Sequence, residues 1–184
     1  MVMEIKAEEL VAFWFSERVR PLWFQSTPAF DTELTERFLP VWRAAHEGAL
    51  SDWEASAEGA LALVICLDQF PLNMFRGRAT SFSTEAAARE VAERAIERGF
   101  DQSLDGPQKA FLYMPFMHSE KLTDQDRSVA LFRAAGLGAN LSFAQHHREI
   151  IRRFGRFPHR NAILGREDTA QERAWLASGE AYRG

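Results

Sequence analysis

Apolar residues recur at three- and four-residue spacing along almost the whole chain, with no β-branched alternation between them. That period predicts an all-α protein of about eight helices. The first is expected over 7–16. A second starts near Thr32 with Asp31 as its N-cap and stops at Gly48, a residue suited to the left-handed C-terminal position. A third covers 56–70 and ends because Pro71 has no amide hydrogen with which to continue it. Residues 71–82 read as a connection, and the alanine-rich stretch 84–98 as a fourth helix closed by Gly99. Pro107 suits the first turn of a fifth, which Pro115 kinks or ends before His118. Thr123 is expected to cap a sixth, and a seventh runs over 142–154 to Gly155. Thr169 and Glu172 then form the T-x-x-E capping box of the last. Short connections suit stacked antiparallel helical hairpins, and nothing along the chain reads as a linker. One helical domain over 1–184 is expected.

Three helices carry an ionisable residue on their apolar stripe. Leu61, Val64, Ile65 and Asp68 fall at i, i+3, i+4 and i+7, so Asp68 should face inward. Phe143, His147, Ile150, Ile151 and Phe154 share one face of the seventh helix, which turns His147 in and His146 out. Phe111, Met114 and His118 place a third such group at the inner end of the fifth helix. Burying an unpaired carboxylate is prohibitive, so Asp68 requires a hydrogen-bonded cation.

Charge shows where cations are concentrated. The 184 residues carry a formal charge of −4, yet five of the 22 lysines and arginines fall within Arg152–Arg166, RRFGRFPHRNAILGR, with no acidic residue among them. If Arg156 or Arg160 folds back over the helix ends, its planar guanidinium can bridge carboxylates where lysine could not. An acidic chain is a poor candidate for a life on nucleic acid, and no nucleic-acid partner is expected.

Composition narrows the class further. Hydrophobic residues make up 46% of the chain, with 15 phenylalanines and five tryptophans, enough for a substantial core. The single cysteine, Cys66, lies in an apolar run and reads as a buried small hydrophobe, which fits a reducing cytoplasm. The start, MVMEIKAEEL, lacks the apolar stretch of a secretory signal, and no run approaches a membrane span. A cytoplasmic location and no membrane partner are therefore expected. Gly-rich phosphate loops, dinucleotide fingerprints and the G-x-S-x-G elbow are all missing, and no cofactor is expected.

Certain motifs also carry a resemblance. LDQFPLN at 67–73, MPFMHSE at 114–120 and RFGRFPHRNAILGR at 153–166 resemble the bacterial family catalogued as domain of unknown function 924. The likeness runs from VAFWFS at 11–16 to Thr169 and Glu172. It implies an all-α fold similar to a tetratricopeptide-repeat superhelix without the repeat consensus, and no assigned activity. Leu72 stands where the family usually has arginine, and Ser16 where it usually has glycine.

Together these residues outline a polar site whose ligand would be a small metabolite bearing phosphate or carboxylate. Arg76, Arg156 and Arg160 would supply charge, with Asp68, Gln69, Asn73, Glu120, His147 and Asn161 as further ligand-binding residues. His118 and His159 are the candidate proton carriers, since imidazole titrates near neutrality. Whether any reaction is catalysed stays open at this point. Three other readings compete. The same groups can form an internal salt-bridge network; the helices can present a scaffold to a peptide or protein partner, with the motifs as braces; or His118, Glu120 and His147 or His159 can ligate the metal of a hydrolase.

Overall fold

The computed structural model describes residues 5–181, and every regular element among them is helical. In chain order the α-helices are α1 (Ala7–Trp14), α2 (Pro28–His46), α3 (Ala57–Val64), α4 (Phe70–Met74) and α5 (Glu85–Glu97). They continue with α6 (Gly106–Met117), α7 (Leu122–Ala134), α8 (Gly138–Phe154) and α9 (Ala170–Ala177). Short 3-10 turns stand between several of them. A π turn, Ile65–Gln69, joins α3 to α4 without a break, so the two read as one helix and the described residues hold the expected eight. No helix among the described residues is long and apolar enough to cross a membrane.

The chain forms two compact units. One comprises the described residues up to Arg76 together with Thr80–Pro115; the other comprises Gly77–Ala79 together with the described residues from Phe116 onward. In the first unit α1 and α5 pack on α3, and α2 packs on α4. Their shared core is aromatic. Phe38 lies 4.8 Å from Phe13 and 4.9 Å from Phe70, while Trp23 lies 4.7 Å from Phe111, all between ring centroids in tilted or edge-on geometry. Such pairs add about 0.5–1.5 kcal/mol to their area burial. The second unit is built on α7 packed against α8, with Ile150, Ile151, Phe157 and Trp175 buried beside them.

Several helix ends fall where the sequence puts them. Gly48, Gly99 and Gly155 take φ of +77°, +73° and +72° beyond α2, α5 and α8, the left-handed conformation that glycine adopts without a Cβ penalty. Thr169 and Glu172 cap α9 reciprocally, each side chain accepting the other's amide.

Other ends differ, each for a local reason. Asp31 is not the N-cap of α2. Thr27 is, its hydroxyl accepting the Phe30 amide at 3.2 Å with Pro28 next in line, and Asp31 sits in the first turn. Thr123 does not cap α7, which begins at Leu122 after Lys121 without a side-chain cap. The seventh predicted helix starts earlier, at Gly138, and Phe143 is 53% exposed instead of joining the inner face. Pro71 does not end the third helix. The π turn has already moved the backbone register, so that the Phe70 amide reaches the Ile65 carbonyl. Pro71 then occupies the first turn of α4, where an amide hydrogen is not required.

Candidate functional site

Of the candidate residues, Asp68, Gln69, Asn73 and Arg76 belong to the first unit. Asp68 is 0% exposed, as its place on the apolar stripe predicts, and it lies within the π turn, a distortion frequent at functional positions. The Gln69 amide donates to Asp68 Oδ2 at 2.8 Å and lies 3.6 Å from the Met114 sulfur. Asn73 and Arg76 are gathered by Asp31. Its Oδ1 accepts from Ser26 at 2.7 Å, Asn73 at 2.8 Å and Arg76 Nη2 at 3.2 Å, and its Oδ2 accepts Arg76 Nε at 2.8 Å. Burial opposes the charge on Asp31, but these donors and the guanidinium outweigh it and hold the carboxyl below its ordinary range.

His118, Glu120, His147, Arg156, His159, Arg160 and Asn161 belong to the second unit. The basic segment folds onto its own unit as a relay of charged hydrogen bonds. Arg156 forks onto Glu172, with Nε 2.7 Å from Oε1 and Nη2 2.8 Å from Oε2, and also donates to the Glu167 carbonyl at 2.7 Å. Arg166 forks onto Glu120 at 2.9 and 2.8 Å, and Glu120 Oε1 also accepts the Phe157 amide at 2.8 Å. Asn161, fully buried, connects the two forks. Its amide donates to Glu172 at 3.2 Å and Asp168 at 2.8 Å, while its oxygen accepts Arg166 Nε at 2.9 Å.

The electrostatics follow from these contacts. Hydrogen bonds from Arg156 first, then the Thr169 backbone and the arginine's charge, hold the Glu172 carboxyl at about 2, against the opposing effect of burial. Burial alone would raise Glu120, but Arg166 and the Phe157 amide bring it below the usual carboxylate range. Arg156 and Glu120, expected to meet a ligand, are thus engaged with protein partners, and the carboxylates that hold the loop include Glu172 and Asp168.

A second cluster surrounds the ring of Phe157. The Arg160 guanidinium carbon lies 4.9 Å from its centroid, and the rings of His147 and His159 lie 5.7 and 5.5 Å from it. Arg160 is only 7% exposed and donates from Nη2 to the His118 carbonyl at 3.1 Å. His147 Nδ1 is 2.7 Å from the Phe143 carbonyl one turn earlier in α8. Burial first, and then the neighbouring His118, His146 and His159, bring His147 down to about 4, although the contact with the Phe143 carbonyl works the other way. His159 is also brought down to about 4, by burial and then by Arg160, His118 and Arg166, with Glu120 opposing. Both imidazoles are therefore neutral at pH 7.

Two clefts open elsewhere. One of about 740 Å³ lies along α1 and α2 and is lined by Phe13, Arg18, Arg37 and Pro40 among others. One of about 290 Å³ lies beside α8 and α9, with His146, Phe154 and Trp175 in its wall. None of the residues expected at the site lines either cleft. Among the described residues no group of three or more His, Cys, Asp or Glu is arranged to hold a metal ion. Glu120 in particular directs both oxygens to Arg166, so the metal-ligand reading has no geometric support. Cys66 is fully buried, and burial pushes its thiol well above the ordinary range, as a small hydrophobe requires.

Asp31, Phe157, Arg166, Asp168 and Glu172 join these clusters although nothing in the sequence marks them as site residues. In sequence Asp31 and Glu172 read as helix caps, and Glu172 is one while also receiving Arg156. Arg166 was visible as the last arginine of the basic segment, but its spacing does not indicate that it reaches Glu120.

A family model described as "Bacterial protein of unknown function (DUF924)" matches residues 10–180. A solved structure of the protein of unknown function ATU0120 from Agrobacterium tumefaciens is similar over 94% of this chain and 97% of that one. The two are 43% identical, with a TM-score of 0.90. No curated protein matches the chain.

Proposed function

Because the chain belongs to this bacterial family of unknown function, its activity has to be read from its own residues, and we propose that its second unit binds a small phosphate- or carboxylate-bearing anion around Phe157. One observation carries this reading: a buried guanidinium, Arg160, and the imidazoles of His147 and His159 converge on a single ring. A low-dielectric place with that much potential positive charge favours a negative guest. Arg160 would orient the anion with its planar fork, and His159, neutral at pH 7, would accept a proton from it or from an adjoining group, with His118 beside it. Arg156, Arg166 and Glu120 act in this reading as braces that hold the segment in place. The lone buried thiol fits a cytoplasmic setting.

The test is a thermal-shift screen of phosphorylated and carboxylated metabolites on wild type, Arg160→Lys and His159→Gln. A compound that stabilises wild type and loses its effect in both variants is the expected result. If no compound distinguishes wild type from the variants, the reading fails.

A second reading is favoured by the Arg156–Glu172 and Arg166–Glu120 forks, which are what an internal brace looks like. In it the chain is a helical scaffold for a peptide or protein partner. It predicts that Arg160→Lys and His159→Gln lower stability without altering any response to small anions.

A further inference from the structure

The cleft along α1 and α2 lies wholly within the first unit, and its volume of about 740 Å³ falls in the range of roughly 300–1,000 Å³ usual for small-molecule sites. Ile5, Ala12, Phe13 and Pro40 give it apolar walls, and four ionisable side chains stand among them. Two of the four are occupied by the fold. Arg18 forks onto Glu33 at 2.9 and 2.6 Å, and Glu9 accepts the Lys6 amide at 3.2 Å in the capping box of α1. The other two, Glu36 and Arg37, are exposed neighbours on α2, and among the described residues no ion pair engages either. Glu33 feels the charge of Arg37, but both its oxygens accept from Arg18.

Successive residues of a helix do not face each other, so Glu36 and Arg37 present their opposite charges without cancelling them. The Arg37 guanidinium carbon lies 4.7 Å from the centroid of Phe13 and 5.1 Å from that of Phe38. Stacked in this way its face is used by the rings, while its edge keeps the N–H fork that matches a carboxylate. Glu36 contributes a second acceptor. Its carbonyl would ordinarily receive the amide of residue 40, and Pro40, which lines the same cleft, has no amide hydrogen to give. We infer that this cleft binds a free apolar amino acid. Arg37 takes its carboxylate, Glu36 takes its ammonium with carboxylate and carbonyl together, and its side chain lies against Ile5, Ala12 and Phe13. A plain acid would meet Glu9 and Glu36, and a plain amine would meet Arg18 and Arg37, whereas a small molecule carrying both charges satisfies both ends. The apolar walls strengthen each contact by keeping water from it. This inference is independent of the anion-binding reading, which concerns residues of the second unit.

Calorimetric titration of the full-length protein with L-phenylalanine and with L-leucine tests it, on wild type, Arg37→Gln and Glu36→Gln. Phenylpropionate, which lacks the ammonium, and phenylethylamine, which lacks the carboxylate, are titrated alongside. The expected result is stoichiometric binding of at least one amino acid, weakened by at least about tenfold in each variant, as loss of a charge-assisted hydrogen bond entails. Phenylpropionate should bind more weakly than L-phenylalanine and respond to Arg37→Gln alone, and phenylethylamine should respond to Glu36→Gln alone. Absence of binding by both amino acids overturns the inference. So does binding that neither substitution weakens, because the amino acid then sits elsewhere. Phenylpropionate that binds as tightly as L-phenylalanine also overturns it, because the ammonium then contributes nothing.

Discussion

The hydroxyl of Thr84 donates a 2.6 Å hydrogen bond to the carbonyl of Leu67. That carbonyl lies four residues before Pro71, whose nitrogen carries no hydrogen, so the usual helical donor is missing. Thr84 supplies the donor from outside the helix, and its oxygen accepts in turn from the Trp42 indole at 3.2 Å. The π turn, the proline and the threonine thus form one arrangement, in which a buried helix continues through a residue that would ordinarily stop it. Thr84→Val keeps the shape and removes both bonds, taking this donor from the Leu67 carbonyl and this acceptor from the Trp42 indole N–H. A loss of about 1–3 kcal/mol is expected in urea denaturation, with Thr84→Ser retaining most of the stability.

Gly59 is fixed by a close approach and not by its φ. A Cβ built there would overlap the carbonyl oxygen of Trp53 and stand 3.0 Å from Ser56 Oγ, the atom that caps α3 through the Gly59 amide. Alanine, usually the better helix former by about 1 kcal/mol, is expected to be the worse residue here. Gly59→Ala should lower stability by about 1–3 kcal/mol, measured by thermal or urea unfolding. A neutral or stabilising effect would mean that the Trp53 carbonyl does not sit against this turn.

Helical periodicity made the fold class legible, because burying one face leaves a repeating mark at every turn. It also placed Asp68 and His147 correctly, since a single register fixes which residues of a helix face inward. Helix ends marked by glycine or a capping box were equally visible. Less legible was whatever depends on a second chain segment meeting the first. Pro71 reads as a stop in sequence, and the hydroxyl that takes the place of its missing amide hydrogen, that of Thr84, stands just before α5. The arginines of 152–166 declared their charge but not their partners. Arg156 takes Glu172 from the capping box of α9, and Arg166 takes Glu120 from the segment after α6, which no local pattern indicates.

Glu120 and Arg166 form the fork that ties the basic segment to the stretch between α6 and α7. Both are about three-quarters buried, with side-chain exposures of 28% and 24%, and Glu120 also holds the Phe157 amide. Charge-assisted, bidentate and shielded, this pair should contribute more than the typical exposed ion pair. Glu120→Gln and Arg166→Gln are each expected to cost about 1–3 kcal/mol, and the double variant less than their sum. A double-mutant cycle in urea measures the coupling directly. Strict additivity would show that the fork does not persist in solution.

The two histidines at Phe157 set the acid limb of stability. Each has its pKa in the folded protein brought from 6.5 to about 4, so the unfolded chain binds protons that the folded chain does not. The stabilising effect is therefore fully present above pH 6.5 and is lost as pH falls towards 4, by about 1.4 kcal/mol per pH unit for each histidine. Glu172 adds a second decline at lower pH: its carboxyl lies at about 2 in the folded protein against 4.5, so the benefit of its fork with Arg156 is present above 4.5 and lost as pH drops towards 2. Urea midpoints between pH 7.5 and 4.5, in buffer free of multivalent anions, should fall steeply below pH 6.5 in wild type. In His147→Gln or His159→Gln the slope should be shallower by the contribution of one proton. A wild-type midpoint that stays level from pH 7 to 5 would mean that both imidazoles titrate as they do in water, and that the ring of Phe157 does not gather them.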